Sequence, residues 1–140
     1  MRVRFKKCAD NAKTPKYASE DDACLDLFAS SLLIDDFGNL TYDTGIAFEI
    51  PKDHVGLVFP RSSVFKKTLI LKNSVGVIDS GYRGTIQVKF SSLRESNVIY
   101  DVGDRVAQIM IIPRPSVELE EVDELSDSTR GTGGFGSTGS

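Results

Sequence analysis

The sequence predicts an all-β fold with very little helix, of the sandwich, barrel or jelly-roll type. Apolar and polar residues alternate in several short segments, most regularly over residues 86–90, and turn signals rich in Gly, Asp and Pro separate these segments. Evidence for helix is sparse. Many short strands with regular turns are typical of these β architectures. A chain of 140 residues is long enough for one such domain with its own hydrophobic core.

Each predicted element follows from its local pattern. Alternating segments are predicted strands with one buried face: Val3–Phe5, Ala47–Ile50, Ile86–Phe90 and Val117–Glu120. Two continuous apolar runs, Leu69–Leu71 and Ile109–Ile112, are predicted strands that are buried on both faces. Turns are predicted at Asp35–Asn39, Pro51–Asp53 and Asp101–Asp104. Arg61–Lys67 is predicted to form one short helical turn capped by a serine.

Composition excludes several classes of function. The net charge of −3 and the pI of about 5.2 argue against a general affinity for duplex nucleic acid, which needs a basic face. No apolar run is long enough to cross a membrane, and the basic segment Met1–Lys7 has no apolar stretch of the kind that secretory signals carry. Cys8, Cys24 and His54 do not form a zinc-ligand set. We therefore expect a cytoplasmic protein with reduced thiols and no membrane partner.

The last twelve residues, 129–140, differ from the rest of the chain. They contain five glycines with one arginine and one phenylalanine. Such a segment buries too little apolar surface to fold alone, so it is either a frayed tail or an arm that becomes ordered on a ligand. In the second case backbone N–H groups and hydroxyls would bind phosphates. We therefore predict a single domain over residues 1–128 and a flexible arm over residues 129–140.

Four further segments contain polar residues suited to chemistry. Asp26 lies between two leucines, and is either the outward half of a strand's alternation or a functional carboxylate. Arg61, with Ser62 and Ser63 at the start of a helical turn, offers donors that suit phosphate oxygens, although such a run also occurs in ordinary loops. Gln108 interrupts an apolar strand, so its amide must find either backbone or ligand partners.

The remaining segment covers residues 73–84 and reads as strand, tight turn and strand. Asp79 ends the apolar run, where a partly desolvated carboxylate can act as a general base toward water, although Asp is also common in β-turns. Tyr82 would then be an aromatic residue of the turn that covers the edge of the core.

In this order, the five segments resemble the five sequence motifs of the trimeric dUTPase family. The motifs read Asp22-Ala23-Cys24-Leu25-Asp26-Leu27, Pro60-Arg61-Ser62-Ser63, Gly76-Val77-Ile78-Asp79-Ser80-Gly81-Tyr82-Arg83-Gly84, Gly103-Asp104-Arg105-Val106-Ala107-Gln108 and Arg130-Gly131-Thr132-Gly133-Gly134-Phe135-Gly136-Ser137-Thr138-Gly139. The resemblance implies a jelly-roll-like β-barrel that forms a homotrimer whose active sites are shared between subunits. It also implies hydrolysis of dUTP to dUMP and pyrophosphate with Mg²⁺, which lowers dUTP and supplies dUMP for dTTP synthesis.

The resemblance also implies a role for each site residue. Asp79 would activate the water that attacks the α-phosphorus, Tyr82 would pack under deoxyribose, and Asp26 would hold Mg²⁺ through a water molecule. Uracil would be read by Asn73, Gly76 and Val77. The phosphate chain would be bound by Arg61, Ser62, Ser63 and Gln108, and from the arm by Arg130, Gly136, Ser137 and Thr138, with Phe135 stacked over uracil.

Three residues depart from the family pattern: Cys24 and Ser63 stand where Gly is usual, and Thr85 where Glu is usual. The related dCTP deaminases need a catalytic Glu ten residues after Asp79, and this chain has Lys89 there, which argues against deamination. A regulatory nucleotide-binding protein is a second alternative, which the compact spacing of the motifs disfavours. A non-catalytic β-sandwich adhesion module is a third, and it leaves the pattern of residues 129–140 unexplained.

Overall fold

The computed structural model describes residues 1–93 and 98–137 of the chain. Within these residues the elements are nine strands and one short 3-10 helix, Ser62–Lys66. The strands are β1 Arg4–Lys7, β2 Leu25–Phe28, β3 Ser31–Ile34, β4 Asn39–Glu49, β5 His54–Phe59, β6 Leu69–Leu71, β7 Gly76–Asp79, β8 Thr85–Ser92 and β9 Arg105–Pro113. The predicted all-β class, with a single short helical segment, is confirmed.

The described strands form two antiparallel sheets. In the first, β4 is the longest strand and pairs with β1, β3 and β8, and β6 follows on the far side of β8. In the second, the order is β2, β9, β5 and β7. Strands that are distant in the sequence are therefore neighbours in space, which is the Greek-key type of connection found in jelly rolls.

The core is built mainly from the buried faces of these strands. Strand β8 alternates as predicted, with Ile86, Val88 and Phe90 buried and the residues between them exposed. Tyr42 of β4 packs edge-on against Phe90, and both rings contact the ring of Tyr100, which lies between β8 and β9. Aromatic pairs in this geometry add about 0.5–1.5 kcal/mol beyond the burial of their area.

The three predicted turns are confirmed, and each contains a residue with a positive φ. Gly38 has a φ of 75° and Gly103 a φ of 96°, values that glycine adopts without steric cost. Asp53 has a φ of 64° in the turn that leads into β5. Asp is among the few other residues that tolerate this region.

Five local predictions are wrong. The strand predicted over Val3–Phe5 with one buried face is β1, all four residues of which are exposed. Val117–Glu120 is exposed and forms no strand, although its residues alternate. Ile70 of β6 is 54% exposed, and in β9 the residues after Ile109 are only half-buried or exposed, so neither run is buried on both faces. The short helix is preceded by Arg61 and has no side-chain cap.

No helix in the described part of the chain is long and apolar enough to span a membrane.

Candidate active site

Strand β7 ends at Asp79, and the chain then turns back toward β8. The amide of Tyr82 donates a hydrogen bond to the carbonyl of Asp79 (3.1 Å), which closes the turn. The Tyr82 hydroxyl donates to the carbonyl of Thr85 (3.0 Å). A cavity of about 190 Å³ opens here, lined by Val77, Ile78, Asp79, Tyr82, Thr85 and Gln87. The structure therefore brings together three of the predicted site residues, Val77, Asp79 and Tyr82.

The carboxylate of Asp79 is free to act on a ligand. Asp79 is exposed, and no described side chain or backbone group is hydrogen-bonded or ion-paired to its carboxylate. An ionised carboxylate has about four acceptor positions, so it can accept a proton from a water molecule held beside it. The partial desolvation that the sequence predicted at this position is absent in the single chain.

Two polar residues of β8 form a wall of this cavity and were missed by sequence reasoning. Thr85 donates its hydroxyl to Asp43 (2.7 Å), and the amide of Gln87 donates to the same carboxylate oxygen (3.3 Å). Asp43 lies on β4, one strand farther into the sheet. The signal that was available is the outward position of Gln87 in an alternating strand next to the motif that contains Asp79.

A second group of predicted residues surrounds Asp26. This carboxylate is only 5% exposed, so the interpretation of Asp26 as the outward half of an alternating strand is wrong. Arg61 donates its Nε to Asp26 Oδ1 (2.8 Å), and Arg105 Nε lies 3.4 Å from Oδ2. Arg61 Nη1 also donates to Ser63 Oγ (3.3 Å). A buried carboxylate needs such partners, because an unpaired buried charge is strongly destabilising.

Gln108 is held beside this group by the sheet. Strands β2 and β9 pair so that Asp26 lies opposite Gln108. The Gln108 amide donates to the carbonyl of Pro60 (3.0 Å), the residue before Arg61. Of the two partners that the sequence left open, a backbone group is therefore present in the single chain. The other groups of the amide are available to a ligand.

A cavity of about 310 Å³ adjoins the ion pairs of Asp26. It is lined by three cations, one carboxylate, one serine and one tyrosine: Arg61, Lys67, Arg105, Asp104, Ser63 and Tyr100. Lys67 donates to the carbonyl of Ile99 (2.9 Å) and lies 4.8 Å from the centre of the Tyr100 ring. Burial raises the pKa of the Tyr100 hydroxyl, which keeps it protonated. The excess of positive charge suits an anionic ligand.

The two groups are separated within one chain by strand β5. Val55 of β5 lies opposite Asp79 on one side, and Phe59 lies opposite Gln108 on the other. Four residues along a strand and two inter-strand spacings correspond to roughly 16 Å between the backbones of Asp79 and Gln108. The two cavities also share no lining residue. A single chain therefore does not place Asp79 and the two arginines that contact Asp26 around one phosphate group.

The remaining predicted residues lie at the periphery of these groups. Asn73 is exposed in the turn before β7, and Gly76 begins that strand. Ser62 is exposed at the start of the short helix.

The described part of the C-terminal segment, up to residue 137, lines neither cavity. Every residue from 113 to 132 is exposed, so the exposed stretch begins well before residue 129. Arg130 donates to the carbonyl of Gly133 (2.8 Å), and Phe135 is fully exposed. Gly136 has a φ of 85° and is exposed, as is Ser137. Thr138 lies outside the described residues.

The residues present do not fit a magnesium ion bound directly by the protein. No group of three or more His, Cys, Asp or Glu residues within positions 1–93 and 98–137 is arranged to hold a metal. Both oxygens of the Asp26 carboxylate face guanidinium groups, and the residue is almost fully buried. The water-mediated role of Asp26 stays a prediction that this geometry does not support.

Cys24, which departs from the family pattern, lies next to this group. Its thiol is half-buried and free of any disulfide. Burial raises the pKa of Cys24, and the negative charge of Asp26 raises it further.

Comparison with known proteins identifies the family. A family model described as dUTPase matches residues 10–139. The chain belongs to the dUTPase family. The family resemblance of the five motifs is confirmed.

Curated relatives of the dUTPase family match over nearly the whole chain. The deoxyuridine 5'-triphosphate nucleotidohydrolase of Hydrogenobaculum sp. is 40% identical, with 99% of each chain covered. The protein of the same name from Escherichia phage T5 is 41% identical, with 90% of this chain and 91% of that one covered. Among solved structures, a mutant dUTPase of Staphylococcus bacteriophage 80alpha with dUpNHpp superposes with a TM-score of 0.87 at 27% identity, covering 99% of both chains.

Proposed function

We propose that this chain hydrolyses dUTP to dUMP and pyrophosphate, with Asp79 as the residue that activates the attacking water. The reaction is the one named for its relatives at about 40% identity over nearly the full chain. The observation that carries the assignment to Asp79 is its unpaired carboxylate at the edge of the cavity that Tyr82 also lines.

The Asp79 carboxylate supplies the base that the hydrolytic step requires. Asp79 accepts a proton from water, and the oxygen of that water forms a bond to the α-phosphorus. The bond between the α-phosphorus and the oxygen that bridges to the β-phosphorus breaks, and this oxygen leaves with pyrophosphate. A general base within hydrogen-bond reach of the water typically contributes a rate factor of about 10²–10⁴.

Selectivity for deoxyuridine is assigned to β7 and the turns that flank it. Tyr82 packs under the sugar, where a ribose 2'-hydroxyl would clash. Asn73 and the backbone of Gly76 and Val77 read the edge of uracil. Cytosine presents the reversed donor pattern, and each buried group left unpaired costs about 1–3 kcal/mol.

The phosphate chain is assigned to the second group of residues and to the arm. Arg61, Ser62, Ser63 and Gln108 bind phosphate oxygens, and the cationic lining of the 310 Å³ cavity supports this assignment. From the arm, Phe135 covers the base, and Arg130, Gly136, Ser137 and Thr138 close over the phosphates. Closure excludes bulk water and strengthens each electrostatic contact.

We also propose a homotrimer with shared active sites, and the separation of the two groups supports it. Asp79 and Gln108 of one chain are roughly 16 Å apart across β5, too far to contact the same phosphate group. A complete site then combines the Asp79 cavity of one subunit with the two arginines that contact Asp26 in another. The C-terminal segment, which is exposed from residue 113 to residue 132, would come from a third.

The proposal is tested by measuring pyrophosphate release from dUTP, dCTP, dTTP and UTP, each with Mg²⁺ and with a chelator. We expect rapid release from dUTP and release at least about a hundredfold slower from the other three, which corresponds to about 2.7 kcal/mol of discrimination. Equal hydrolysis of all four would remove the selectivity assigned to β7 and its flanking turns. Tight binding of dUTP without turnover would favour a regulatory protein instead.

A further inference from the structure

We propose that Arg105 is a second phosphate-binding arginine, and that Asp26 is the positioning residue which orients both Arg105 and Arg61 toward the phosphate chain. This inference rests on the proposed function and deepens it, because it assigns a residue that the family resemblance left without a role. It also gives Asp26 a task other than holding Mg²⁺.

Asp26 is held in place by the backbone on both sides of its strand. Its amide donates to the carbonyl of Lys16 (2.9 Å), and its strand is paired with β9 on the other side. The carboxylate is buried between these segments. The Asp26 carboxylate is therefore held in one position, and the backbone sets the direction of any guanidinium bound to it.

Asp26 contacts the same nitrogen atom, Nε, in both arginines. Arg61 uses Nε toward Oδ1, and the nearest nitrogen of Arg105 to Oδ2 is also Nε. A guanidinium has five N–H donors in a planar fork, so a contact through Nε leaves donors on the terminal nitrogens, one of which, Arg61 Nη1, already donates to Ser63. Both arginines line the 310 Å³ cavity, and their side chains are 26% and 41% exposed.

The charges that line the 310 Å³ cavity do not cancel. Asp26 neutralises one of the two guanidinium groups, and Lys67 adds a further positive charge to the cavity lining, against the single carboxylate of Asp104. The Asp26 cluster as a whole therefore keeps an excess of positive charge. Planar guanidinium forks bind phosphate oxygens through paired hydrogen bonds, so two of them fixed by one carboxylate suit adjacent phosphate groups.

The experiment is a calorimetric titration of the full chain with inorganic pyrophosphate, first in chelator and then with Mg²⁺. The variants are Asp26→Asn, Arg105→Gln and the double variant, with Arg114→Gln as the matched control. Arg114 is an exposed arginine that lies outside both cavities. We expect each single variant to weaken pyrophosphate binding in chelator on the order of tenfold. The double variant should weaken binding by less than the product of the two single effects, because both residues act on the same phosphate contacts. The control should bind pyrophosphate as tightly as the unmodified chain.

Several outcomes would overturn the inference. If Asp26→Asn changed binding only when Mg²⁺ is present, Asp26 would serve the metal. If Arg105→Gln bound pyrophosphate as tightly as Arg114→Gln, Arg105 would have no role, and this half-exposed residue decides the matter even if Asp26→Asn fails to fold. Absence of pyrophosphate binding by the unmodified chain would also overturn the inference. Because no dUTP is used, failure of the proposed hydrolysis would be seen separately.

Discussion

The hydroxyl of Tyr42 donates a hydrogen bond to the backbone carbonyl of Tyr100 (2.8 Å) and accepts one from the amide of the same residue (3.1 Å). One buried hydroxyl thus satisfies both backbone groups of a residue 58 positions later in the chain. The contact fixes the segment that leads into β9 against β4. Tyr100 in turn lines the 310 Å³ cavity, so the contact supports one wall of the candidate site.

Replacing Tyr42 by Phe is expected to destabilise the fold by about 2–3 kcal/mol at neutral pH, because it leaves a buried carbonyl and a buried amide unpaired. The free energy of unfolding in urea measures the effect. Tyr17→Phe, at a half-exposed position, is the matched control and should change stability by less than about 0.5 kcal/mol. A loss in Tyr42→Phe no larger than in the control would show that water replaces the lost bonds.

The same tyrosine gives a pH dependence of stability. Burial raises the pKa of Tyr42 from 10 to about 12. In the unfolded chain the hydroxyl ionises near pH 10, so its contribution is fully present below pH 10 and is lost as the pH rises toward 12. A shift of this size corresponds to about 2–3 kcal/mol. We expect the stability difference between the unmodified chain and Tyr42→Phe to shrink over this range; a constant difference would contradict the assignment.

Replacing Asp79 by Asn is expected to keep nucleotide binding and reduce turnover by at least about a hundredfold, because the amide cannot accept the proton of the attacking water. The measurements are kcat for dUTP and the Kd of a non-hydrolysable dUTP analogue. Asp53→Asn, an exposed turn residue with a φ of 64° that Asn also tolerates, is the control. Full turnover in Asp79→Asn would remove Asp79 from the role of base.

Deleting residues from Arg130 onward is expected to lower kcat at least about tenfold, equivalent to about 1.4 kcal/mol of barrier, and to leave the Tm unchanged. The reason is that none of the described residues of this segment belongs to the core. Leu125→Ser, an exposed position before the arm, is expected to retain full turnover. Unfolding of the truncated chain would instead mean that the arm is structural.

The two thiols are expected to react with iodoacetamide at different rates. Cys8 is exposed, whereas Cys24 is half-buried, and burial together with the charge of Asp26 raises its pKa. The thiolate is the reactive form, so Cys8 should be alkylated first at pH 8. Mass spectrometry of the peptides measures both rates, and urea should bring them close together. Faster alkylation of Cys24 than of Cys8 in the folded chain would contradict this environment.

Local patterns predicted the fold where burial on one face decides the strand. The alternation over Ile86–Phe90 predicted β8. The turns around Gly38 and Gly103 were predicted because a tight turn needs a positive φ, which glycine adopts without steric cost. Val117–Glu120 alternates equally well but has no described strand beside it. Alternation states which residues a strand would bury, but it does not provide the neighbouring strand on which burial depends.

The candidate site was predicted unevenly for a similar reason. Asp79 and Tyr82 are close in the sequence, so a local motif is sufficient to identify their turn. The burial of Asp26 depends on two arginines on other elements, and no pattern around Asp26 shows them. Thr85 and Gln87 were missed because their relation to Asp79 arises from the approach of β7 to β8 across the two sheets.

The position of β5 between the two halves of the candidate site has a genetic consequence. Asp79 and Arg61 lie in different cavities of one chain. In the proposed homotrimer, one site would therefore combine an intact half from each of two defective chains. Two alleles, one with Asp79 replaced and the other with Arg61 replaced, would then complement each other in a cell that expresses both. Each allele expressed alone would give an inactive enzyme.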